Sequence, residues 1–119
     1  MRTLDLFKNR EGEMLAAGDV LFSEGDPADD MFVIKSGEID IAVGDNVVQT
    51  LGAGEILGEM ALVDDSPRSA SATVRSDAEV VRIDRKRFEF MVQQTPGFAT
   101  SVLGIMADRL RSANAKAST

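Results

Sequence analysis

The chain has 119 residues, and 13 Lys and Arg against 20 Asp and Glu give it a formal net charge of −7. It contains no His and no Cys, which excludes a Ser-His-Asp triad, a Cys-His dyad, a thiolate zinc site and any disulfide. The acidic balance argues against a nucleic-acid-binding surface and against a face that binds anionic membranes. Length and composition predict one domain covering residues 1–119, with no metal and no cofactor.

The distribution of apolar residues predicts a soluble protein. The longest uninterrupted apolar run, at residues 102–107, is too short to span a bilayer. Near the N-terminus, Asp5 and Lys8 stand where a signal peptide needs an apolar stretch. We therefore expect a cytoplasmic location and no membrane partner for this chain.

The first part of the chain has the pattern of short strands joined by turns. Eight of the ten glycines lie between Gly12 and Gly58, mostly six to eight residues apart. This spacing predicts an antiparallel β sandwich or barrel over about residues 12–84. Alternating or continuous apolar residues predict five strands: 31–34, 37–43, 47–51, 70–75 and 79–83. The run 31–34 is apolar throughout, as in a strand covered on both faces.

The last third changes to a helical period, and helices are expected over about residues 85–113. Asp84 is a predicted N-cap of a helix of about nine residues. That helix is expected to bury Phe88, Met91 and Val92. The order of elements is therefore a β sandwich first and helices last.

A second helix is predicted to begin at Pro96, with Thr95 as its N-cap. Residues at helical spacing form one apolar face on it: Phe98, Val102, Leu103, Ile105, Met106 and Leu110. This face is expected to pack on the sandwich and is also a candidate surface for a homodimer. Because 95–97 lies at an element boundary and contains Gly97, we expect a hinge there that lets the second helix move when a ligand binds.

Residues 52–74, GAGEILGEMALVDDSPRSASATV, interrupt the strand pattern. Gly58 permits unusual backbone angles, and 59–63 could form one helical turn. The free N–H groups of such a turn, together with Arg68 at the start of the next strand, form a phosphate site, and Glu59 could accept a hydrogen bond from a hydroxyl. The residues thus favour a ligand with an anion and a sugar hydroxyl.

Taken singly, these residues have simpler interpretations. Glu59 alone is typical of a solvated surface carboxylate, and Arg68 alone could pair with Asp64 or Asp65.

The stretch GEILGEMALVDDSPRSASATV resembles the phosphate-binding cassette of the cyclic nucleotide-binding domain family. That family includes catabolite activator protein, the regulatory subunit of protein kinase A and cyclic-nucleotide-gated channels. Upstream, GDVLFSEGDPADDMFVIKSGEIDI is similar to the family's second to fourth strands, so the likeness covers about residues 12–111. It implies an antiparallel β jelly-roll (double-stranded β-helix) sandwich with C-terminal α-helices. It also implies a regulatory sensor, not an enzyme, that reversibly binds cAMP or, as a second choice, cGMP.

The resemblance implies these ligand-binding residues: Ile56, Leu57, Gly58, Glu59, Met60, Ala61, Arg68, Ser69, Ala70 and Arg109. Glu59 would bind the ribose 2′-hydroxyl and Arg68 the exocyclic phosphate oxygens. Backbone N–H groups of Met60, Ala61 and Ala70 would line the phosphate pocket.

The remaining members of this set have supporting roles in the family. Ile56 and Leu57 would pack near the sugar, and Arg109 would approach Glu59 as the second helix moves. Ser69 would contact the phosphate or the purine; the family has Ala here in several cAMP binders and Thr in many cGMP binders. Asn114, which family members could use to reach the base, is expected to lie in a fraying end.

The sequence departs from the family pattern at both ends. The family normally has more helix before the sandwich, whereas only about ten residues precede it here, and catabolite activators continue into a helix-turn-helix domain where this chain ends at Thr119. DNA binding is therefore not expected of this chain. The alternatives are a sensory piece of a transcription regulator, channel or kinase subunit, and an interaction module of the same fold that binds no ligand. An enzyme such as a phosphodiesterase or a cupin is disfavoured, because the usual cupin metal set needs His.

Overall fold

The computed structural model describes residues 12–60, 62 and 66–117, with the backbone alone for 96 and 112–117. The strands in this part of the chain are β1 (Glu13–Leu15), β2 (Val20–Phe22), β3 (Asp30–Val43), β4 (Asn46–Leu51), β5 (Ile56–Leu57) and β6 (Ser71–Asp84). Two helices follow, α1 (Arg85–Gln94) and α2 (Pro96–Ala117). The predicted order, an antiparallel β sandwich followed by helices, is confirmed.

Strands β3 and β6 form the centre of the sheet. They pair antiparallel from Asp30 opposite Asp84 to Ala42 opposite Ser71. Strands β1 and β2 pair with β6, while β4 and β5 pair with β3. Each of the remaining described strands therefore pairs with one of the two long strands.

The sequence divided each long strand into two, and that division is wrong. The predicted strands 31–34 and 37–43 are both part of β3, and 79–83 and all but the first residue of 70–75 are part of β6. The register between β3 and β6 shifts between Ile34 and Ile39, so β3 bends there without ending. Gly37 allows the bend: it has a φ of +85°, and a Cβ on it would lie 2.4 Å from the Asp77 carbonyl oxygen.

Two apolar clusters lie on opposite sides of β3. Met31 and Val33 belong to the cluster that meets the helices, and Phe32 and Ile34 to the cluster inside the roll. This alternation follows from the two-residue period of a strand, and the prediction that 31–34 is covered on both faces is confirmed. The helices therefore cover one face of the sheet. On the other face, inside the roll, side chains from different strands pack against one another.

The predicted helix starts are confirmed. The Asp84 carboxylate accepts a hydrogen bond from the Arg87 N–H at 2.8 Å, and α1 runs for 10 residues from Arg85. Helix α2 starts at Pro96, and the Thr95 carbonyl accepts from the Phe98 N–H at 2.9 Å. It extends to Ala117, beyond the predicted end at 113.

The predicted apolar helix faces are partly wrong. Phe98 and Val102 are buried, and Ile105 and Met106 pack beside them. Leu103 and Leu110, however, are 66% and 62% exposed, because one face of α2 is enough to cover the sheet and these two residues project away from it. On α1, Met91 is buried and Phe88 is half-buried, but Val92 is 41% exposed, about 100° around the helix from Met91.

No helix in the described part of the chain has both the length and the apolar character needed to cross a membrane.

We expect Asp84→Ala to destabilise the fold by ~0.5–2 kcal/mol, because it removes the side-chain acceptor at the start of α1. Urea unfolding followed by circular dichroism measures this loss. Glu89→Ala, at an exposed position of the same helix, is the control and should change stability by no more than ~0.5 kcal/mol. Equal losses in the two variants would mean that the cap does not stabilise α1.

Candidate functional site

A pocket of about 310 Å³ opens between the cassette and the inner faces of strands β2, β3 and β4. Most of the sequence-predicted site residues line it: Leu57, Gly58, Glu59, Met60, Arg68, Ser69, Ala70 and Arg109. The structure thus brings together residues from a strand end, a turn, a loop and a distant helix.

The guanidinium of Arg68 is buried at this pocket, with 6% of the residue exposed. Its Nη2 donates to the Asp30 carbonyl oxygen at 2.7 Å and to Asp30 Oδ1 at 2.9 Å, and its Nη1 donates to the Gly58 carbonyl oxygen at 3.0 Å. The guanidinium carbon lies 4.1 Å from the centroid of the Phe22 ring. Its Nε is buried and has no hydrogen-bond partner among the described residues.

The backbone around Arg68 is fixed by the turn that precedes β3. The Arg68 N–H donates to the Asp26 carbonyl oxygen at 2.9 Å, and the Arg68 carbonyl oxygen accepts from the Gly25 N–H at 2.8 Å. Burial lowers the pKa of Arg68 below its usual value, and the neighbouring Asp30 carboxylate opposes this shift. Arg68 lies three residues before β6, not at its first residue as the sequence predicts.

Gly58 leaves the space that Arg68 occupies. It has a φ of +80°, which disfavours other residues, and a Cβ on it would lie 2.4 Å from Arg68 Nη1. The glycine at this position therefore allows both the turn and the close approach of the guanidinium to its carbonyl group.

Glu59 is the second buried charge of the pocket, with 3% of the residue exposed. Arg109 of α2 donates through Nη1 to Glu59 Oε1 and through Nη2 to the Ile56 carbonyl oxygen. The predicted swing of α2 is therefore not needed to bring Arg109 to Glu59, because the structure already has this contact.

A backbone hydrogen bond marks a turn after Gly58. Leu62 donates through its N–H to the Glu59 carbonyl oxygen at 3.0 Å, which agrees with the predicted helical turn. Met60 is exposed at the pocket rim, as is Ser69, and Ala70 is half-buried. Ala61, Asp64 and Asp65 lie outside the described residues, so the predicted roles of these three residues have no structural counterpart here.

Ile56 does not line the pocket. Its side chain is fully buried in the cluster beneath the helices, whereas Leu57 faces the pocket. The two residues are neighbours in β5, and neighbouring residues of a strand point to opposite faces. Among the described residues, the Ile56 carbonyl group connects this residue with the site through Arg109 alone.

Sequence reasoning missed six residues that line the pocket: Ser66 and Pro67 of the cassette, and Phe22, Ile41, Gln49 and Leu51 of strands β2, β3 and β4. Ile41 lies opposite Gln49 in the β3–β4 pairing, and Gln49 and Leu51 share a strand face because they are two residues apart. Alternation in the sequence could have grouped these side chains. It could not have indicated that their common face meets the cassette.

A family model described as the cyclic nucleotide-binding domain matches residues 13–95. The chain belongs to this family. The match begins at β1 and ends between the two helices, so it includes Glu59 and Arg68 but not Arg109.

The relatives of this cyclic nucleotide-binding domain include regulatory proteins. The chain is 33% identical over 97 residues to a cAMP-dependent protein kinase regulatory subunit of Hypocrea atroviridis, covering 80% of this chain and 21% of the relative. It is 29% identical over 102 residues to a CRP-like cAMP-activated global transcriptional regulator of Mycobacterium tuberculosis, covering 82% and 46%. The chain therefore spans less than half the length of these relatives.

The fold of the domain is that of solved family members. The catabolite activator protein of Thermus thermophilus superposes with a TM-score of 0.81 at 26% identity, covering 98% of this chain and 55% of that one. This superposition confirms the jelly roll with C-terminal helices that the resemblance implied.

We expect Gly58→Ala to destabilise the domain more than Gly44→Ala. Both glycines have positive φ, but a Cβ on Gly44 would meet nothing within 4 Å. The control should therefore lose only the ~1–2 kcal/mol of a left-handed alanine, and Gly58→Ala should lose ~1–3 kcal/mol more because Arg68 must move. Urea unfolding measures both values, and equal losses would contradict the packing of Gly58 against Arg68.

Proposed function

We propose that this chain is a sensor domain that reversibly binds a cyclic mononucleotide, with cAMP as the preferred ligand. The observation that carries the proposal is the buried guanidinium of Arg68, whose Nε points to no partner in the described part of the chain. A buried donor without a partner is costly, and a phosphate oxygen in the adjoining pocket would satisfy it. Membership of the family supports the same ligand, as does the naming of two relatives as cAMP-activated and cAMP-dependent proteins.

The chemistry of each pocket-lining residue indicates which part of the nucleotide it would bind. Arg68 binds the cyclic phosphate, and Glu59 accepts a hydrogen bond from the ribose 2′-hydroxyl. Ile41, Leu51 and Leu57 supply an apolar surface for the flat purine.

Polar groups near the purine set the choice of base. Gln49 and Ser69 are both exposed at the pocket and could bond to a base edge. Because Ser69 has a hydroxyl, we expect measurable binding of cGMP beside the preferred cAMP.

The output of the sensor is proposed to pass through α2. Arg109 joins α2 to Glu59 and to the Ile56 carbonyl group, so a ligand that takes part of the hydrogen bonding of Glu59 changes how α2 is held. We propose no catalysis by this chain, since the two relatives described above are a regulatory subunit and a transcriptional regulator. We also propose α2 as the surface for a homodimer, because Leu103 and Leu110 are exposed on it, seven residues apart. The cytoplasmic location and the lack of a nucleic-acid partner stay predictions.

Titration calorimetry with cAMP and with cGMP tests the function, and Arg68→Ala tests the site. Removing one member of a buried charge pair costs ~2–5 kcal/mol, or roughly 30- to several-thousand-fold in affinity. The control is Arg75→Ala, since Arg75 is an exposed arginine of β6 that faces Asp40 at 3.5 Å, and it should bind like wild type. A folded wild-type chain that binds neither nucleotide would favour the interaction module that has the fold alone.

A second test uses 2′-deoxy-cAMP and the Glu59→Ala variant. Wild type should prefer the ribose ligand, because a hydrogen bond from a hydroxyl to a carboxylate is worth ~1.5–3 kcal/mol. Glu59→Ala should bind both ligands with the same affinity. If the variant keeps the wild-type preference for ribose, another group recognises the 2′-hydroxyl.

A further inference from the structure

One arginine next to the site lies outside the pocket lining. Arg82, near the end of β6, has a side chain that is 44% exposed. Its Nη1 donates to Asp30 Oδ2 at 2.7 Å, while Nε and Nη2 donate to the two carboxylate oxygens of Glu13 at 2.8 and 3.2 Å. Arg82 is thus held between two carboxylates from different parts of the sheet.

The carboxylate of Asp30 joins Arg82 to the pocket. Its Oδ1 accepts from Arg68 Nη2 at 2.9 Å, and its Oδ2 accepts from Arg82 Nη1 at 2.7 Å. One carboxylate therefore bridges two guanidinium groups, and its rotation is fixed from both sides.

A stack of rings supports the same two guanidinium groups. Arg82 lies 4.8 Å from the centroid of Phe32, and Arg68 lies 4.1 Å from that of Phe22. The two rings stack on each other with centroids 6.0 Å apart and planes 27° apart. Cation–π contacts and the shared carboxylate therefore fix the position of Arg68 relative to Arg82.

We propose that Arg82 is a positioning residue for the nucleotide site and acts on the ligand through Asp30 and Arg68. The inference rests on the proposed function. Without Arg82, Arg68 would be the only cationic partner of Asp30 among the described residues, and the negative charge of Asp30 would both draw the guanidinium back and repel the phosphate. With Arg82 in place, the three side chains carry a formal charge of +1, and the Asp30 carboxylate is shared.

We expect Arg82 to act mainly through its charge. Removing a negative charge beside it should therefore change cAMP affinity in a direction that can be tested. Hydrogen bonds to Glu13 and Asp30 raise the pKa of Arg82 above its usual value, so Arg82 is charged at neutral pH. Glu13→Gln keeps an oxygen acceptor for Arg82 and removes one negative charge. We expect this variant to bind cAMP at least as tightly as wild type, whereas loss of a merely structural contact would weaken binding.

The main experiment is calorimetric titration of the full chain with cAMP. We expect Arg82→Gln to bind roughly 3- to 30-fold more weakly, the range of couplings within one charged network. Arg82→Lys should bind cAMP with an affinity within about threefold of wild type, because the ammonium group can still neutralise Asp30. The control is Arg75→Gln, on the same strand and facing Asp40, which should change affinity less than about twofold.

A double-mutant cycle decides whether Asp30 carries the effect. In an Asp30→Asn background, Arg82→Gln should change cAMP affinity less than about twofold, since residue 30 then carries no negative charge for Arg82 to neutralise. Equal effects of Arg82→Gln in both backgrounds would overturn the inference, as would wild-type affinity for Arg82→Gln. A wild-type chain that fails to bind cAMP would overturn the proposed function and this inference with it.

Discussion

The site depends on the burial of one positive charge, the guanidinium of Arg68. Removing such a group from water costs several kcal/mol unless hydrogen bonds and opposite charges replace the lost solvation. Three kinds of neighbour do so here: the carbonyl oxygens of Gly58 and Asp30, the Asp30 carboxylate, and the Phe22 ring. The identity of residue 58 follows from this burial, because any side chain there would occupy the space of Nη1.

Glu59 extends the same constraint to the helices. A buried carboxylate also needs a partner, and its partner Arg109 comes from α2, 50 residues further along the chain. The second donor of Arg109 binds the Ile56 carbonyl group, whose strand β5 pairs with β3. The position of α2 is therefore set by apolar contacts of Phe98 and Val102 and by one charged contact at the pocket. A ligand that competes with Arg109 for Glu59 therefore acts on the charged contact and leaves the apolar contacts in place.

The parts of the fold that could be predicted are those encoded within a few residues. The Asp84 cap, the start of α2 at Pro96 and the two-sided burial of 31–34 depend on local patterns, and all three predictions were confirmed. Leu103 and Leu110 were misplaced because helical spacing tells which residues share a face, not how wide a face the sheet covers. The continuity of β3 and β6 depends on register shifts in their pairing, which no single segment reveals.

The candidate site divides in the same way. The cassette could be predicted because Gly58, Glu59 and Arg68 lie within eleven residues of one another and resemble a known family. The partners of its charges could not: Asp30 is 38 residues from Arg68, and Arg82 is 52 residues from Asp30. In the sequence Asp30 is one of several acids around Pro27, and Arg82 occupies an exposed position of a strand. Nothing local distinguishes either from a solvated surface charge.

The arrangement of these charges explains how an acidic chain can favour an anion. Solvent screens charges more than about 8 Å apart at physiological ionic strength, so the net charge of −7 matters less than the order of charges at the pocket. That order runs Glu13, Arg82, Asp30, Arg68 from the edge of the sheet inward. The row alternates in sign and ends at the pocket in a positive group. Each inner charge in the row is hydrogen-bonded to its neighbour nearer the edge of the sheet. The positive end at Arg68 therefore faces the pocket, although the row as a whole has no net charge.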